Sequence, residues 1–239
     1  MIGTGKIGGT VGGALARAGY EVVMGSRNPN DARQDGPPVV DISTALDGAD
    51  VVLLAIPAKS VGNFLVAYAA DVDGKLFIDA TNNIGAAATN AAAAVARAAP
   101  NARHVRAFNT LGWENFANPT FDGVAADHFF SAPSADRDAI ERLISDVGLR
   151  PAYLGPDKQD LVDSVLPLWL TLAQLRGQRH LAFRMHTGRR RQHGPGSRRR
   201  SCFPGGRSAA ACTVPPAEAE VENSRLCPAR KSNSSGPRG

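Results

Sequence analysis

The residues best suited to chemistry in this chain are the glycines of Gly3-Thr4-Gly5-Lys6-Ile7-Gly8, which fit the GxGxxG pattern of a dinucleotide-binding loop. Apolar residues at helical spacing follow them, Gly19 ends that helix, and residues 21–24 are typical of a strand. In such a unit the first glycine makes a tight turn, the second lets the backbone approach a pyrophosphate, and the third lets the helix pack on the sheet. The helix N–H groups near Lys6 would face the phosphates.

The end of the next strand indicates which dinucleotide this loop would bind. An NAD site usually places Asp or Glu there to accept hydrogen bonds from the ribose 2′-hydroxyl. This chain has Ser26 and Arg27 instead, a hydroxyl donor and a guanidinium suited to a 2′-phosphate. The residues therefore favour NADP over NAD. The alternative is a glycine-rich turn of another α/β protein that carries an ordinary surface arginine.

The rest of the chain alternates apolar runs with helical patterns. Strands are predicted at residues 21–24, 51–56, 75–79, 104–108 and 151–154, and helices at 41–46, 59–70, 86–99, 135–147 and 159–184, the last interrupted by Pro167. This alternation predicts a Rossmann-type α/β fold with a doubly wound, mostly parallel sheet whose first strand is truncated. It is followed by a C-terminal helical segment and a disordered tail.

Ligands of such sheets bind beyond the carboxyl ends of the strands. The prediction places one set of segments along that rim: Gly3 to Gly8, Ser26-Arg27, Ala55-Ile56-Pro57, Thr81-Asn82 and Asn109-Thr110. Asn109 and Thr110 are candidates for positioning a reacting ring, or they form a purely structural turn. His104 and His128 lie in or near strands and are interpreted as core or surface histidines.

Charge divides the chain into two parts. Residues 1–180 carry 15 Lys and Arg against 19 Asp and Glu, whereas residues 181–239 carry 12 against 3. The basic balance therefore belongs to the tail, and the folded part is not expected to bind nucleic acid. All three cysteines, Cys202, Cys212 and Cys227, lie in the tail at spacings that match no zinc site. We expect no metal, no membrane span and no signal peptide, hence a cytoplasmic protein.

Three regions follow from these patterns. Residues 1–155 are predicted to form the NADP-binding Rossmann domain, residues 156–186 a helical segment that packs on it, and residues 187–239 a basic, low-complexity tail. Arginine clusters in the tail could form a nucleic-acid or membrane-surface patch. The abrupt shift to Arg, Pro, Gly, Ser and Cys is more typical of GC-rich DNA translated in a shifted frame.

The start of the chain presents a physical problem, because only Met1 and Ile2 precede the glycine loop. The strand before that loop is the central one of the sheet, and its loss would leave neighbouring strands without a ladder partner. Each unpaired buried group costs about 1–3 kcal/mol. We therefore expect an apolar strand to precede Met1.

Three stretches carry a resemblance to a known family: residues 2–8, Val23-Met24-Gly25-Ser26-Arg27, and the distinctive residues 106–115 (RAFNTLGWEN). Over about residues 1–185 the chain resembles the NADPH-dependent reductases of coenzyme F-420, the 8-hydroxy-5-deazaflavin, and their broader relatives. The resemblance implies hydride transfer between NADP(H) and a second, small-molecule carrier, with coenzyme F-420 as a candidate. A homo-oligomer is compatible with it.

The resemblance also implies roles for individual residues. Thr4, Ser26 and Arg27 would hold the 2′-phosphate side, Lys6 and Ile7 the pyrophosphate, and Ala55, Ile56 and Pro57 the nicotinamide ribose, with Asn82 also at the cofactor. Trp113 and Phe116 would wall the pocket of the second ligand, or simply pack. The alternatives are an NADPH reductase of another small acceptor, such as an imine or a flavin, and a non-catalytic NADP-binding module or truncated pseudoenzyme.

Overall fold

A mainly parallel sheet forms the centre of the molecule. The computed structural model describes residues 1–29 and 36–186. The sheet contains β1 (Met24–Ser26), β2 (Val39–Asp41), β3 (Val51–Leu54), β4 (Leu76–Asp79) and β5 (Arg103–Arg106). Strands β1 and β2 pair in parallel, as do β3, β4 and β5, and Ile2 makes parallel bridges to both Gly25 and Leu54. The order β2-β1-Ile2-β3-β4-β5 confirms the predicted Rossmann-type fold.

Further strands and eight helices complete the described part of the chain. A short hairpin joins β6 (Thr120–Phe121) to β7 (Val124–Ala125), and β8 (Asp127–Phe130) pairs in parallel with β9 (Arg150–Tyr153). An antiparallel bridge from Ser131 to Arg106 attaches this pair beyond β5. The helices are α1 (Lys6–Arg17), α2 (Ile42–Leu46), α3 (Val61–Val72), α4 (Ala92–Ala98), α5 (Trp113–Ala117), α6 (Arg137–Asp146), α7 (Gln159–Asp163) and α8 (Val165–Arg176).

The strands separate two hydrophobic layers because alternate side chains of a strand point to opposite faces. Leu53 of β3 packs with α1, α6 and α8 on one face, whereas Val52 and Leu54 pack with α2, α3 and α4 on the other. Both faces of β3 and β4 are therefore covered, which explains their uninterrupted apolar sequences.

The first strand is reduced to the residues around Ile2, whose side chain is 1% exposed. The Ile2 N–H donates to the Leu53 carbonyl at 2.8 Å, and the Ala55 N–H donates to the Ile2 carbonyl at 2.8 Å. On the other side, the Gly25 N–H donates to the Met1 carbonyl at 2.7 Å. The predicted strand at residues 21–24 differs from the structure, in which the strand begins at Met24 and runs to Ser26.

Two predicted helices have other boundaries in the structure. The helix expected at residues 86–99 begins at Ala92, because Asn90 and Asp79 accept the N–H groups of Ala92 and Ala91 and fix a turn there. The helix expected at residues 159–184 divides at Ser164, which places Pro167 in the first turn of α8 where its missing N–H costs nothing. It ends at Gly177, which takes a left-handed conformation with φ 59°.

The predicted basic tail at residues 187–239, with its arginine clusters and three cysteines, lies outside the described residues. Residues 30–35, which come between β1 and β2 in the sequence, also lie outside them. Within residues 1–29 and 36–186, none of the helices has both the length and the apolar character needed to cross a bilayer.

Candidate functional site

The glycine loop connects Ile2 to α1, and two of its glycines are required by the protein itself. Gly3 has a φ of +107°, and a Cβ there would collide with the Ala55 carbonyl. A Cβ on Gly8 would collide with the Gly3 carbonyl. A Cβ on Gly5, in contrast, would meet no atom within 4 Å. Nothing in the described protein requires glycine at position 5, so the space beside it is available to a ligand that approaches the backbone.

Helix α1 begins at this space and has an open N-terminus. Its N-cap residue, Gly5, supplies no side-chain hydrogen bond, and no acidic residue lies in the first turn. Among the described residues, no capping side chain accepts the first N–H groups of α1, which lie at the positive end of the helix dipole. This arrangement is suited to an anion such as a phosphate.

A pocket of about 190 Å³ lies between the end of β1 and the end of β3. Its lining includes Arg27, Ile42, Ile56 and Pro57, so it combines one guanidinium with largely apolar walls. No hydrogen bond or ion pair to the Arg27 guanidinium is found within the described ranges. The Ser26 hydroxyl accepts the Asn28 N–H at 3.1 Å and keeps its own proton for donation.

Lys6 and Trp113 connect the glycine loop to the loop after β5. The Lys6 ammonium lies 4.9 Å from the centre of the Trp113 ring, a cation–π contact. Phe116, in contrast, is 2% exposed and packs edge-on against Phe108 and His128, so it belongs to the core. Of the two predicted wall residues, Trp113 is thus the one at the rim.

A buried ionic network holds the ends of β4 and β5 together. Arg106 is fully buried, and its Nε donates to Asp163 of α7 at 2.6 Å. Its Nη1 donates to the carbonyls of Asp79 at 2.9 Å and Thr81 at 2.6 Å, and its Nη2 donates to Asn82 Oδ1 at 3.0 Å. One guanidinium therefore fixes two strand ends and a helix.

Asp79 is the second buried charge of this network. Burial alone raises the pKa of its carboxyl, but His104, Arg106 and the Thr81 hydroxyl outweigh burial, so the pKa lies below its ordinary value. Asp79 Oδ1 accepts the Thr81 hydroxyl at 2.6 Å, and Oδ2 accepts the Ala91 N–H at 2.7 Å. The carboxylate thus stays ionised and shapes the loop at the end of β4.

The network reaches the predicted rim residues Asn82, Asn109 and Thr110. Asn82 Nδ2 donates to the Asn109 carbonyl at 2.9 Å, so both ends of the Asn82 amide are engaged within the protein. Asn109 Nδ2 donates to Asp163 at 3.0 Å. The Asn109 Oδ1 and Thr110 Oγ1 atoms are buried and find no hydrogen-bond partner within residues 1–29 and 36–186.

The turn that presents Asn109 is held by a strained residue. Phe108 is 1% exposed and has a φ of 61°, which a non-glycine residue rarely adopts. Its N–H donates to Nε2 of His128 at 2.7 Å, and the two rings stack at 5.1 Å. Burial lowers the pKa of His128 to about 3, so the imidazole is neutral and accepts this bond.

Residues 177–186, which follow α8, pack against α5 beside the candidate site. The Trp169 indole donates to the Leu181 carbonyl at 2.6 Å, and Asn115 bonds both Arg179 and Leu181. Further along, Asp127 accepts the Met185 N–H and pairs with Arg150. Hydrogen bonds thus tie residues 179–185 to α5, α8 and β8.

The sequence predicted the residues of the rim but not the buried charged residues beneath them. Arg106 was noted only as part of a motif, and Asp79 and Asp163 were given no role. A charged residue inside an otherwise buried strand was the available signal, since such a charge must find a partner. The partner Asp163 gave no such signal because it lies 57 residues away in an ordinary helical pattern.

Within the described parts of the chain, no group of three or more His, Cys, Asp or Glu side chains is arranged to hold a metal ion.

Known proteins share this fold. A putative F420-dependent NADP-reductase from Arthrobacter sp. FB24 superposes with a TM-score of 0.66 at 22% identity, over 78% of this chain and 97% of that chain. A hypothetical protein from Sinorhizobium meliloti superposes with a TM-score of 0.56 at 28% identity, over 65% of this chain and 83% of that one. An imine reductase from Streptomyces aurantiacus gives 0.58 at 21% identity over 73% of this chain and 62% of the reductase.

A family model gives the more specific result. It is described as NADP oxidoreductase, coenzyme F420-dependent, and it matches residues 1–83, which contain the glycine loop, Arg27 and the end of β3. The resemblance predicted from the sequence is thus confirmed: residues 1–83 match the coenzyme F420-dependent NADP oxidoreductases, a family of NADP-dependent oxidoreductases.

Proposed function

We propose that this protein is an NADP(H)-dependent oxidoreductase that transfers hydride between NADP(H) and a second small carrier, with coenzyme F420 as the leading candidate. The observation that carries the proposal is the pair of features at one rim: the open space beside Gly5 and the pocket with Arg27. The family matched by residues 1–83 supports the same cofactor. The neighbour named as an F420-dependent NADP-reductase supports the choice of carrier.

The glycine loop would hold the pyrophosphate. Gly3 and Gly8 give the loop its shape, Gly5 leaves room for the phosphates, and the N–H groups of Lys6 and Ile7 open α1. Thr4, partly exposed in the same loop, would donate its hydroxyl on the 2′-phosphate side. These residues fit an anionic dinucleotide because they offer donors and positive charge without a competing carboxylate in the first turn.

The adenosine end would occupy the pocket of Arg27. Ile42, Ile56 and Pro57 give it apolar walls, and the Arg27 guanidinium, with the Ser26 hydroxyl, would pair with a 2′-phosphate. Ala55, whose N–H already bonds the Ile2 carbonyl, lies where the chain leaves β3 and would border the nicotinamide ribose. Ile56 and Pro57, which the resemblance also gives to that ribose, line the pocket of Arg27 instead. A guanidinium at this position is the reason for expecting NADP(H) rather than NAD(H).

Asn82, Asn109 and Thr110 would act beneath the nicotinamide. Since both ends of the Asn82 amide are used internally, we infer that Asn82 locks two loops together. Asn109 and Thr110 offer unpaired buried oxygen atoms at the end of a strained turn, and they remain the candidates for positioning the ring. When bound, NADPH supplies the hydride, and these residues supply alignment and a fixed electrostatic environment.

The acceptor is tested by following NADPH oxidation by the full chain at 340 nm. Parallel reactions contain the deazaflavin F420, FMN, a cyclic imine such as 1-pyrroline, or no acceptor. The proposal expects oxidation with F420 well above the rate without acceptor. Oxidation only with the imine or FMN would reassign the acceptor, and NADPH binding without oxidation by any of them would indicate a non-catalytic module.

The cofactor assignment is tested separately with Arg27→Ala. Losing a hydrogen-bonded charge pair costs about 1.5–3 kcal/mol, so NADPH affinity should fall about 10- to 150-fold while NADH affinity stays constant. Arg17→Ala is the matched control, because Arg17 is exposed at the far end of α1. An Arg27→Ala protein that keeps its full preference for NADPH would refute the assignment.

A further inference from the structure

The pocket that contains Arg27 has a second polar side, formed by α3 and the turn before it. Ser60, Asn63 and Tyr68 line this side, and Asn63 is exposed while the other two are partly buried. Within residues 1–29 and 36–186, no hydrogen bond is found to the Ser60 hydroxyl, the Asn63 amide or the Tyr68 hydroxyl. Three polar side chains thus line one pocket with their hydrogen-bonding capacity unused.

The spacing of these residues explains why they share one side of the pocket. Residues three and four apart lie on the same face of a helix. Asn63 and Phe64 follow Ser60 by three and four positions, respectively. Tyr68 follows Phe64 by four positions, and the centres of their rings lie 5.4 Å apart. Together with Ile56, these rings form the apolar part of the lining, so a ligand in the pocket meets apolar side chains and one polar edge.

The pocket matches the base of a dinucleotide. Its volume of about 190 Å³ is below the roughly 300–1,000 Å³ of a site that encloses a whole drug-sized ligand, so it accommodates one part of NADP(H). The 2′-phosphate that would pair with Arg27 is carried by the same ribose as adenine. The base must therefore lie within one sugar of Arg27, in the same pocket. A purine has apolar faces and a polar edge, which this lining complements.

Among these three polar side chains, that of Asn63 can distinguish adenine from other purines. Its amide oxygen can accept from the 6-amino group of adenine while its amide N–H donates to N7, the bidentate contact that asparagine makes to adenine in the major groove of DNA. A purine with a carbonyl group at position 6 presents two acceptors there, so the amide oxygen would be left without a donor. The Ser60 and Tyr68 hydroxyls can donate as well as accept, so they do not distinguish these two bases.

We propose that Asn63 determines the base specificity of the dinucleotide site by binding the 6-amino group and N7 of adenine. The inference rests on the proposed function only for the ligand, NADP(H), and it holds for any hydride acceptor. Arg27 would select the 2′-phosphate and Asn63 the base, so two side chains of one pocket control separate parts of the same ligand.

The test compares NADPH with reduced nicotinamide hypoxanthine dinucleotide phosphate, which differs from NADPH only in its base, where a carbonyl group replaces the 6-amino group. Dissociation constants of the full chain for both ligands are measured from the fluorescence of the reduced nicotinamide. The parent protein should bind NADPH about 5- to 150-fold more tightly than the hypoxanthine analogue. Asn63→Ala should bind the two ligands with equal affinity.

Three controls separate recognition of the base from a general loss of structure. Asn63→Ala should keep the parent's preference for NADPH over NADH, because Arg27 and the 2′-phosphate are unchanged. Val66→Ala should keep both preferences, because Val66 is 89% exposed on the same helix and does not line the pocket. Tyr68→Phe should change the affinities for NADPH and for the hypoxanthine analogue by the same factor.

Three results would overturn the inference. The parent protein could bind NADPH and the hypoxanthine analogue equally, Asn63→Ala could keep the parent's preference for NADPH over the analogue, or Tyr68→Phe could lose that preference. In each of these cases NADPH still binds, so the proposed cofactor stands. A parent protein that binds neither ligand would overturn the inference and the proposed function together.

Discussion

Replacing Arg106 by methionine removes the one guanidinium that joins β4, β5 and α7 while keeping a side chain of similar length. Asp163, bonded to Arg106 at 2.6 Å, then loses its charged partner, and Asp79 loses another at 3.3 Å. Two backbone carbonyls also lose their donor. Breaking a buried pair on one side costs about 3–5 kcal/mol because the remaining charge stays buried.

That loss corresponds to a melting temperature about 6–20 °C lower for a domain of this size. The matched control is Arg103→Met on the same strand, because Arg103 pairs with Asp136 at 3.1 Å but is 47% exposed. An exposed pair contributes about 1 kcal/mol or less. Calorimetry of the two variants and the parent protein therefore separates burial of the charge from loss of an arginine.

The pH dependence of the stability lost in Arg106→Met is an independent test of the same reasoning. In the parent protein the pKa of Asp79 is lowered, so its contribution to stability is present above about pH 4 and is lost as the pH falls. Without Arg106, that carboxyl would be protonated at higher pH, which removes its buried charge. The deficit of Arg106→Met should thus be smaller at pH 5 than at pH 7. A deficit no larger than that of Arg103→Met, or one equal at both pH values, would refute the reasoning.

Three further predictions concern single residues. Gly5→Ala should cost at most about 1 kcal/mol of stability yet abolish NADPH binding. Gly8→Ala should cost about 1–3 kcal/mol of stability, because its Cβ would clash with the Gly3 carbonyl. Melting curves measure the loss of stability, and NADPH fluorescence measures the loss of binding. Because the pKa of His128 is lowered to about 3 by burial, stability should fall by about 2–3 kcal/mol between pH 6.5 and pH 4.5. His128→Gln keeps an acceptor and should flatten that slope in denaturant titrations; an unchanged slope would exclude His128 as its source. Gly62→Ala, exposed in α3 with nothing near its Cβ, should raise stability by about 0.5–1 kcal/mol, and a lower melting temperature would contradict it.

The sequence predicted the fold best for strands in which almost every residue is apolar. Residues 51–54 and 76–79 are apolar almost throughout because both faces of their strands are covered, and these strands were predicted to within a few residues. The doubly wound parallel sheet, with the strand before the glycine loop at its centre, was predicted from the glycine loop and the alternation of elements. What failed were boundaries set by distant side chains, such as the start of α4, where Asp79 caps a turn twelve residues further along the chain.

Some residues of the candidate site could likewise be predicted from the sequence, and others could not. The glycine loop and Arg27 could be proposed from the sequence because their chemistry is local: a turn, a helix start and a strand end. The support beneath Asn109 could not, since Asp163 and His128 reach it from elements that only the tertiary fold brings near. The left-handed turn at Phe108 also gave no sequence signal, because non-glycine residues in that conformation are rare.

The two tryptophans of the chain lie in contrasting surroundings. Trp113 is only partly buried and contacts Lys6 of the glycine loop, whereas Trp169 is 1% exposed and bonded to Leu181. The protein thus carries two built-in fluorescent reporters. Emission from Trp113 should respond to occupancy of the loop, while emission from Trp169 should change only when α8 and the segment after it separate from the core. Single Trp→Phe variants would separate the two signals, because Trp169→Phe leaves the reporter of ligand binding and Trp113→Phe leaves the reporter of unfolding.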